Sequence, residues 1–296
     1  MGLIWPAPAV AIPPLAMTPA LQQHLQAWLQ EDLGRGDLSA AALHGCRGQA
    51  HWVAKADGVF CGGQLAAAVF GLMDSGVTAQ VLVNDGEAIS AGTRLLELEG
   101  PAAALVGAER TALNLAMRLS GIATATAALA SQLQGTGVQL VDTRKTTPGL
   151  RVLEKYAVRC GGGSNHRMGL DDAAMLKENH LAWAGGVAAA VAAVRAAAPW
   201  PSQVIVEAET IEEAKAAVDA GADGVLLDEF SPDALQQLVP ELRGQAQQRG
   251  KPVVLEASGI QPDQLRLYAS SGIDLISTSA PITRSSWLDL SMRFTG

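Results

Sequence analysis

QVIVEAETIEEAKAAVDAGADGVLLDEF, residues 203–230, decides the fold class. It opens on an apolar run, Val204–Val206, that stops at Glu207. An Ala-rich amphipathic stretch follows, Ile211–Ala220, and then a second apolar run, Gly224–Leu227, that stops at Asp228 and Glu229. Two short strand-like runs around one helical stretch make a strand–helix–strand unit, which joins parallel strands. The rhythm continues outward. Val138–Val141 and Ala174–Leu176 precede it, and Val253–Leu255 and Ile273–Ile276 follow, with helical stretches at Val187–Ala198 and Pro232–Gln248.

These runs end on polar groups. Val141 leads into Asp142, Thr143, Arg144 and Lys145, and Leu176 into Lys177 and Glu178. Leu255 leads into Glu256 and Ser258, and Ile276 into Ser277, Thr278 and Ser279. An α/β barrel gathers its strands' carboxyl ends on one rim and builds its active site there. A doubly wound sheet would concentrate such groups at one or two switch-point loops. Six successive polar strand ends therefore favour a barrel. With six or seven strands it is incomplete.

The first half reads differently. Thr18 caps a helix whose first position is Pro19, and Leu21, Leu25, Trp28 and Leu29 form its apolar stripe. Residues 50–100 read as short strands, among them Val81–Val83 and Arg94–Leu98, with a turn at Asn84-Asp85-Gly86. Pro101 opens a helical region to about Gln134, divided at Gly121. There Leu105, Val106, Ala112, Leu113, Ala116 and Leu119 share one arc, opposite Arg110, Asn114 and Arg118.

Composition narrows the function classes. The 296 residues are 49% hydrophobic and 17% charged, which excludes a disordered chain. A net charge of −8 argues against nucleic acid or an anionic membrane as partner. Cys46, Cys61 and Cys160 form no CxxC pair and suit a reducing cytoplasm. The first thirty residues are uncharged, but no basic segment precedes them and five prolines interrupt them. Residues 1–17 read as an extended arm, and no other stretch reads as a membrane span. The expectation is a soluble, cytoplasmic protein.

Within this acidic chain the balance inverts between Asp142 and Arg167. Arg144, Lys145, Arg151, Lys155, Arg159 and Arg167 face two acids, with His166 beside them. Such a cluster is either a site for a small anion or a solvated basic face. Gly161-Gly162-Gly163 permits close backbone approach, but Ser-Asn-His-Arg follows, so it is no Walker A loop. At the strand ends, Arg144 and Arg167 can grip carboxylates in bidentate fashion. Glu207 and Asp228 suit ribose hydroxyls or Mg²⁺. Ser258 and Gly259, with Ser277 to Ser279, lie on late loops where barrels hold phosphate. Together these residues point to a phosphorylated, polyanionic ligand.

VDTRKTTPGLRVLEKYAVRCGGGSNHRMGLDDAAMLKENHL, Val141 to Leu181, closely resembles the quinolinate phosphoribosyltransferase family (nicotinate-nucleotide pyrophosphorylase, decarboxylating). EDLGRGD from Glu31, ERTALNLAMRLSGIAT from Glu109, VEAE at 206–209, GADGVLLDEF from Gly221 and EASG at 256–259 extend the likeness. The resemblance implies phosphoribosyl transfer from phosphoribosyl pyrophosphate (PRPP) to quinolinate in NAD biosynthesis, with release of CO₂ and pyrophosphate. It implies an extended arm over 1–17 and an α/β sandwich domain over 18–125, rejoined by 285–296. An incomplete, seven-stranded α/β barrel over 126–284 would be catalytic. It also implies Mg²⁺, carried mainly by PRPP, and a homodimer in which Arg110 reaches the neighbouring site. Arg144, His166 and Arg167 match residues binding the quinolinate carboxylates. Lys145 and Lys177 match lysines near the carboxylate and the pyrophosphate or phosphoribosyl group. Glu207 and Asp228 match acids holding the ribose and metal region. Thr143, Ser258, Gly259, Ser277 and Ser279 complete the expected substrate contacts.

The chain departs from the family pattern at LDN, which here reads Leu227-Asp228-Glu229, and at EASGG, which here reads Glu256-Ala257-Ser258-Gly259-Ile260. The later loop, commonly Gly-containing, is Ser277-Thr278-Ser279-Ala280-Pro281. The rival readings are three. A paralogue of the molybdate-transport-associated type would use a different acceptor. A Schiff-base aldolase would use Lys145 or Lys177. A binding scaffold would have no reason to line six strand ends with acids and bases.

Overall fold

The computed structural model describes residues 12–295. Residues 1–11 of the expected arm lie outside the described residues, and 12–17 form neither helix nor strand. The chain divides into two compact units. One takes the chain up to Ala128, Leu153–Gly162 and the chain from Arg284; the other takes Leu129–Val152 and Gly163–Thr283.

The first unit opens with α1 (Pro19–Leu33), capped by Thr18 Oγ1, which accepts from Leu21 N at 3.2 Å. Leu21, Leu25 and Leu29 are buried. β1 (Arg47–Ala54), β2 (Gly58–Val59), α2 (Gly63–Met73), β3 (Thr78–Val81), β4 (Ala88–Ile89) and β5 (Arg94–Pro101) follow. β5 pairs antiparallel with both β1 and β3. The strand expected at 81–83 lies earlier, and the Asn84–Gly86 turn leads into β4, which pairs with β2.

α3 (Ala102–Gln132) runs unbroken through Gly121. A Cβ at Gly121 would meet the Ser286 carbonyl oxygen at 2.1 Å, so this glycine serves close backbone approach and does not break the helix. By length and composition alone α3 is also long and apolar enough to cross a membrane. Its most apolar window is 61% buried inside the protein, as in a core helix. α4 (Arg151–Cys160) carries most of the segment that the linear division placed in the barrel but that groups with the first unit. Tyr156 Oη donates to Asp85 Oδ2 at 2.9 Å, and a Cβ at Gly161 would meet the Ala123 carbonyl oxygen at 2.3 Å. Those contacts hold it there.

The second unit is the parallel sheet. β6 (Gln139–Val141), β7 (Ala174–Leu176), β8 (Val204–Ala208), β9 (Gly224–Asp228), β10 (Val254–Ser258) and β11 (Leu275–Ser277) take the order β6-β11-β10-β9-β8-β7. α5 (Glu178–Ala184), α6 (Val187–Ala197), α7 (Ile211–Asp219), α8 (Pro232–Gln248), α9 (Leu265–Ala269) and α10 (Ala280–Thr283) are interspersed. Leu140, Val206, Leu227, Leu255 and Ile276 pack into one core with helical residues such as Val191, Ala214 and Leu238. Period-two alternation leaves Glu207, Asp228, Glu256, Ser258 and Ser277 on the other face. The seventh strand expected from the family likeness is reduced to a single parallel bridge, Val141 to Ser164. Among the described residues no ladder joins β6 to β7. β12 (Leu290–Thr295) returns to the first unit and pairs antiparallel with β1.

Candidate active site

Register assembles the acidic half of the rim. β7 pairs with β8 so that Leu176 faces Val206, which sets the next residues, Lys177 and Glu207, side by side as an ion pair. Ser258 faces Asp228 across β10 and β9, and its hydroxyl donates to Asp228 Oδ1. Carboxylate oxygens of Glu207, Glu209 and Asp228 all lie within 4.8 Å of one another. Three converging hard oxygen donors suit Mg²⁺. Glu209, one residue past β8, was missed by the sequence reading, although its i, i+2 spacing from Glu207 keeps both on one side of an extended chain. Desolvation first, and then the charges of Glu178, Asp228, Glu213 and Glu207, hold the Glu209 carboxyl above its ordinary range.

The cationic half hangs on Asp142, which is 2% exposed at the end of β6. Its Oδ1 accepts from His166 N at 2.8 Å and its Oδ2 from Asn165 Nδ2 at 2.7 Å, tying the 142–145 loop to the 164–167 turn. Arg167 Nη1 donates to the Ala173 carbonyl at 3.1 Å. Burial, and then the neighbouring Arg144 charge, push the Arg167 guanidinium below its ordinary range, against the pull of Asp172 and Glu207. Two guanidiniums that repel across a partly desolvated gap are relieved by an anion between them. Lys145 is exposed, with its backbone N–H donating to Thr143 Oγ1 at 3.0 Å. His166, Arg167 and Glu256 line a cavity of about 400 Å³ that extends to the amino ends of the strands, where Ala173, Gln203, Gly224 and Leu275 also line it.

The late loops follow β9 to β11. Gly259 has φ +75, and a Cβ there would meet Glu229 Cγ at 3.1 Å. Ser277 is buried, and the Ser279 carbonyl accepts from Ile282 N and Thr283 N at the start of α10. Arg110 is exposed on α3 in the first unit. The remaining cations of the basic cluster have structural partners. Arg151 donates to Thr146 Oγ1 at 3.0 Å and to the Met168 carbonyl at 3.2 Å, and Arg159 sits 5.5 Å over the Tyr156 ring. Lys155 is fully buried and is no surface residue.

The description "Quinolinate phosphoribosyl transferase, N-terminal domain" matches residues 37–120, and its C-terminal counterpart matches residues 122–293. The chain belongs to the quinolinate phosphoribosyltransferase family. It is 45% identical to the probable nicotinate-nucleotide pyrophosphorylase (carboxylating) of Synechocystis sp., over 97% of this chain and 96% of that protein. It is 36% identical to the Homo sapiens nicotinate-nucleotide pyrophosphorylase (carboxylating), over 96% and 94%. The solved structure of NadC from Streptococcus pyogenes superposes with a TM-score of 0.87 at 38% identity, covering 95% of this chain and 98% of that one. The chain is therefore an enzyme of the phosphoribosyltransferase class, and a paralogue with another acceptor is not favoured.

The departures from the quinolinate phosphoribosyltransferase pattern now have a geometry. Glu229 stands where the pattern has Asn, and its φ is +57. Asn tolerates this left-handed region and Glu does so at a cost, so the loop beside Gly259 is strained.

Proposed function

We propose that the chain transfers the phosphoribosyl group of PRPP to the ring nitrogen of quinolinate, with loss of CO₂ and pyrophosphate, giving nicotinate mononucleotide. What supports this reading is that a cationic group, in which Arg144 acts on Arg167, lies within electrostatic reach of Glu207 in an acidic one, Glu207, Glu209 and Asp228. A dicarboxylate fits the first, and a ribose that becomes cationic at its anomeric carbon fits the second.

In this reading Arg144 and Arg167 hold the carboxylates and orient the ring nitrogen toward the anomeric carbon. As the C–O bond to pyrophosphate breaks, the acidic half stabilises the developing oxocarbenium charge. Lys145 and Lys177 attract the departing pyrophosphate. The new C–N bond leaves a positive ring nitrogen. When the C2–carboxylate bond breaks, its electron pair stays on C2, stabilised as an ylide by the adjacent positive nitrogen, and a solvent proton then bonds to C2 in place of CO₂. Ser258, Gly259, Ser277 and Ser279 receive the 5′-phosphate. Mg²⁺, held by Glu207, Glu209 and Asp228 with PRPP, would neutralise phosphate charge.

The same reading makes the enzyme a homodimer, with the exposed Arg110 contributed to the neighbouring subunit's site. It also places the enzyme in the cytoplasm, in keeping with the free thiols of Cys46, Cys61 and Cys160. Purified protein with quinolinate, PRPP and Mg²⁺ is expected to form nicotinate mononucleotide and CO₂ in equal amounts. Product formation without CO₂ release, or equal use of nicotinate, would overturn the assignment.

A further inference from the structure

β10 points Glu256 to the same face as Ser258, and its side chain is 4% exposed. Oε2 lies 3.1 Å from His166 Nε2, while Oε1 is buried without a hydrogen-bond partner. On the other side of the ring, His166 Nδ1 accepts the Arg167 backbone N–H at 2.8 Å. A neutral imidazole that accepts at Nδ1 carries its proton at Nε2, so Glu256 is the acceptor of that proton's hydrogen bond. Both ring nitrogens are thus engaged within the protein. One fixes the tautomer, and the other holds the backbone from which Arg167 projects.

We propose that Glu256 is a positioning residue for dicarboxylate binding. It sets the His166 ring, His166 sets the Arg167 amide, and Asp142 braces the same turn through the His166 backbone. His166 is then a bracket within the site. The inference rests on the reading of Arg167 as a quinolinate grip. It was not legible in sequence, because Glu256 and His166 are 90 residues apart. A carboxylate that only filled space would, when replaced, lower stability without distinguishing one substrate from the other. A positioning carboxylate discriminates between them.

The test compares wild type, Glu256→Gln and Glu256→Ala by steady-state kinetics and by ¹⁵N NMR of histidine-labelled protein, with His166 assigned by its own substitution. Wild type is expected to show the Nε2–H tautomer. Glu256→Gln, whose amide oxygen still accepts, should keep that tautomer and hold both KM values within about threefold. Glu256→Ala should lose the fixed tautomer and raise KM for quinolinate about tenfold or more, with KM for PRPP within about twofold. An Nδ1–H tautomer in wild type would overturn the proposal, as would an unchanged quinolinate KM, or an equal rise in both KM values, in Glu256→Ala. Should Glu256→Ala fail to fold, the tautomers of wild type and Glu256→Gln decide alone. Should wild type show no turnover, the functional reading fails instead, while the tautomer result still reports on the bracket.

Discussion

Replacing Arg167 with methionine separates binding from folding. In the free protein this guanidinium is opposed by burial and by Arg144, and it donates one hydrogen bond, 3.1 Å to the Ala173 carbonyl. Losing that bond costs about 1 kcal/mol. The side chain is partly exposed, so water screens the relieved repulsion, which returns about 1 kcal/mol or less. The two nearly cancel, and Tm should stay within about 3 °C of wild type.

Binding should change far more. A bidentate, charge-assisted grip on one carboxylate contributes about 3 kcal/mol, so KM for quinolinate should rise about 100-fold. The free-ligand thermal shift gives a second reading. At a quinolinate concentration of about 100 Kd, wild type gains about 2.7 kcal/mol, or roughly 5–10 °C. The variant at the same concentration, now near its own Kd, gains about 0.4 kcal/mol, or roughly 1 °C. Differential scanning fluorimetry and initial rates measure both. A ligand shift as large as in wild type would refute the grip. A fall in Tm of more than about 8 °C without ligand would refute the energetic cancellation.

Three further outcomes concern the frame around the site. Gly161→Ala places a methyl 2.3 Å from the Ala123 carbonyl oxygen and should destabilise by about 3 kcal/mol, read as the urea midpoint at unchanged slope. Glu229→Asn relieves a φ of +57 and should raise Tm by a few degrees; a fall would mean that the Glu229 side chain is itself structural. Burial pushes the Asp223 carboxyl up, but hydrogen bonds from Lys251, at 2.8 Å, from Val204 N, at 2.7 Å, and from Arg195 pull it below its usual value. That stabilisation is complete above the unfolded carboxyl pKa of about 3.9 and is lost as pH falls through the lowered folded value. Asp223→Asn should therefore melt lower than wild type at pH 7, with the gap closing in acid. A gap independent of pH would contradict the assigned charge.

Strand–helix alternation was legible because each strand of the parallel sheet is an apolar run ending at a polar group, and all six strands begin within two residues of their expected starts. Gly121 misled because composition cannot separate a glycine that ends a helix from one that admits a neighbouring backbone. Lys155 and Glu154 were illegible for a similar reason. Charge reads as surface until a partner is known, and here the Arg118 guanidinium meets Glu154 at 2.8 Å in the interior. Glu209 was within reach through its alternation with Glu207. The bond from Glu256 to His166 was not, since pairing across the barrel follows register and not spacing along the chain.

The open seam between β6 and β7 has a mechanical consequence. Backbone ladders act as hoops, and five of them bind the six strands in series. At the seam the hoop is replaced by side-chain fastenings, among them Arg167 to the Ala173 carbonyl just before β7. Stiffness around the ring is therefore uneven. The soft sector carries the cation assigned to the dicarboxylate, so a ligand seated on Arg167 also acts as a clasp on the wall.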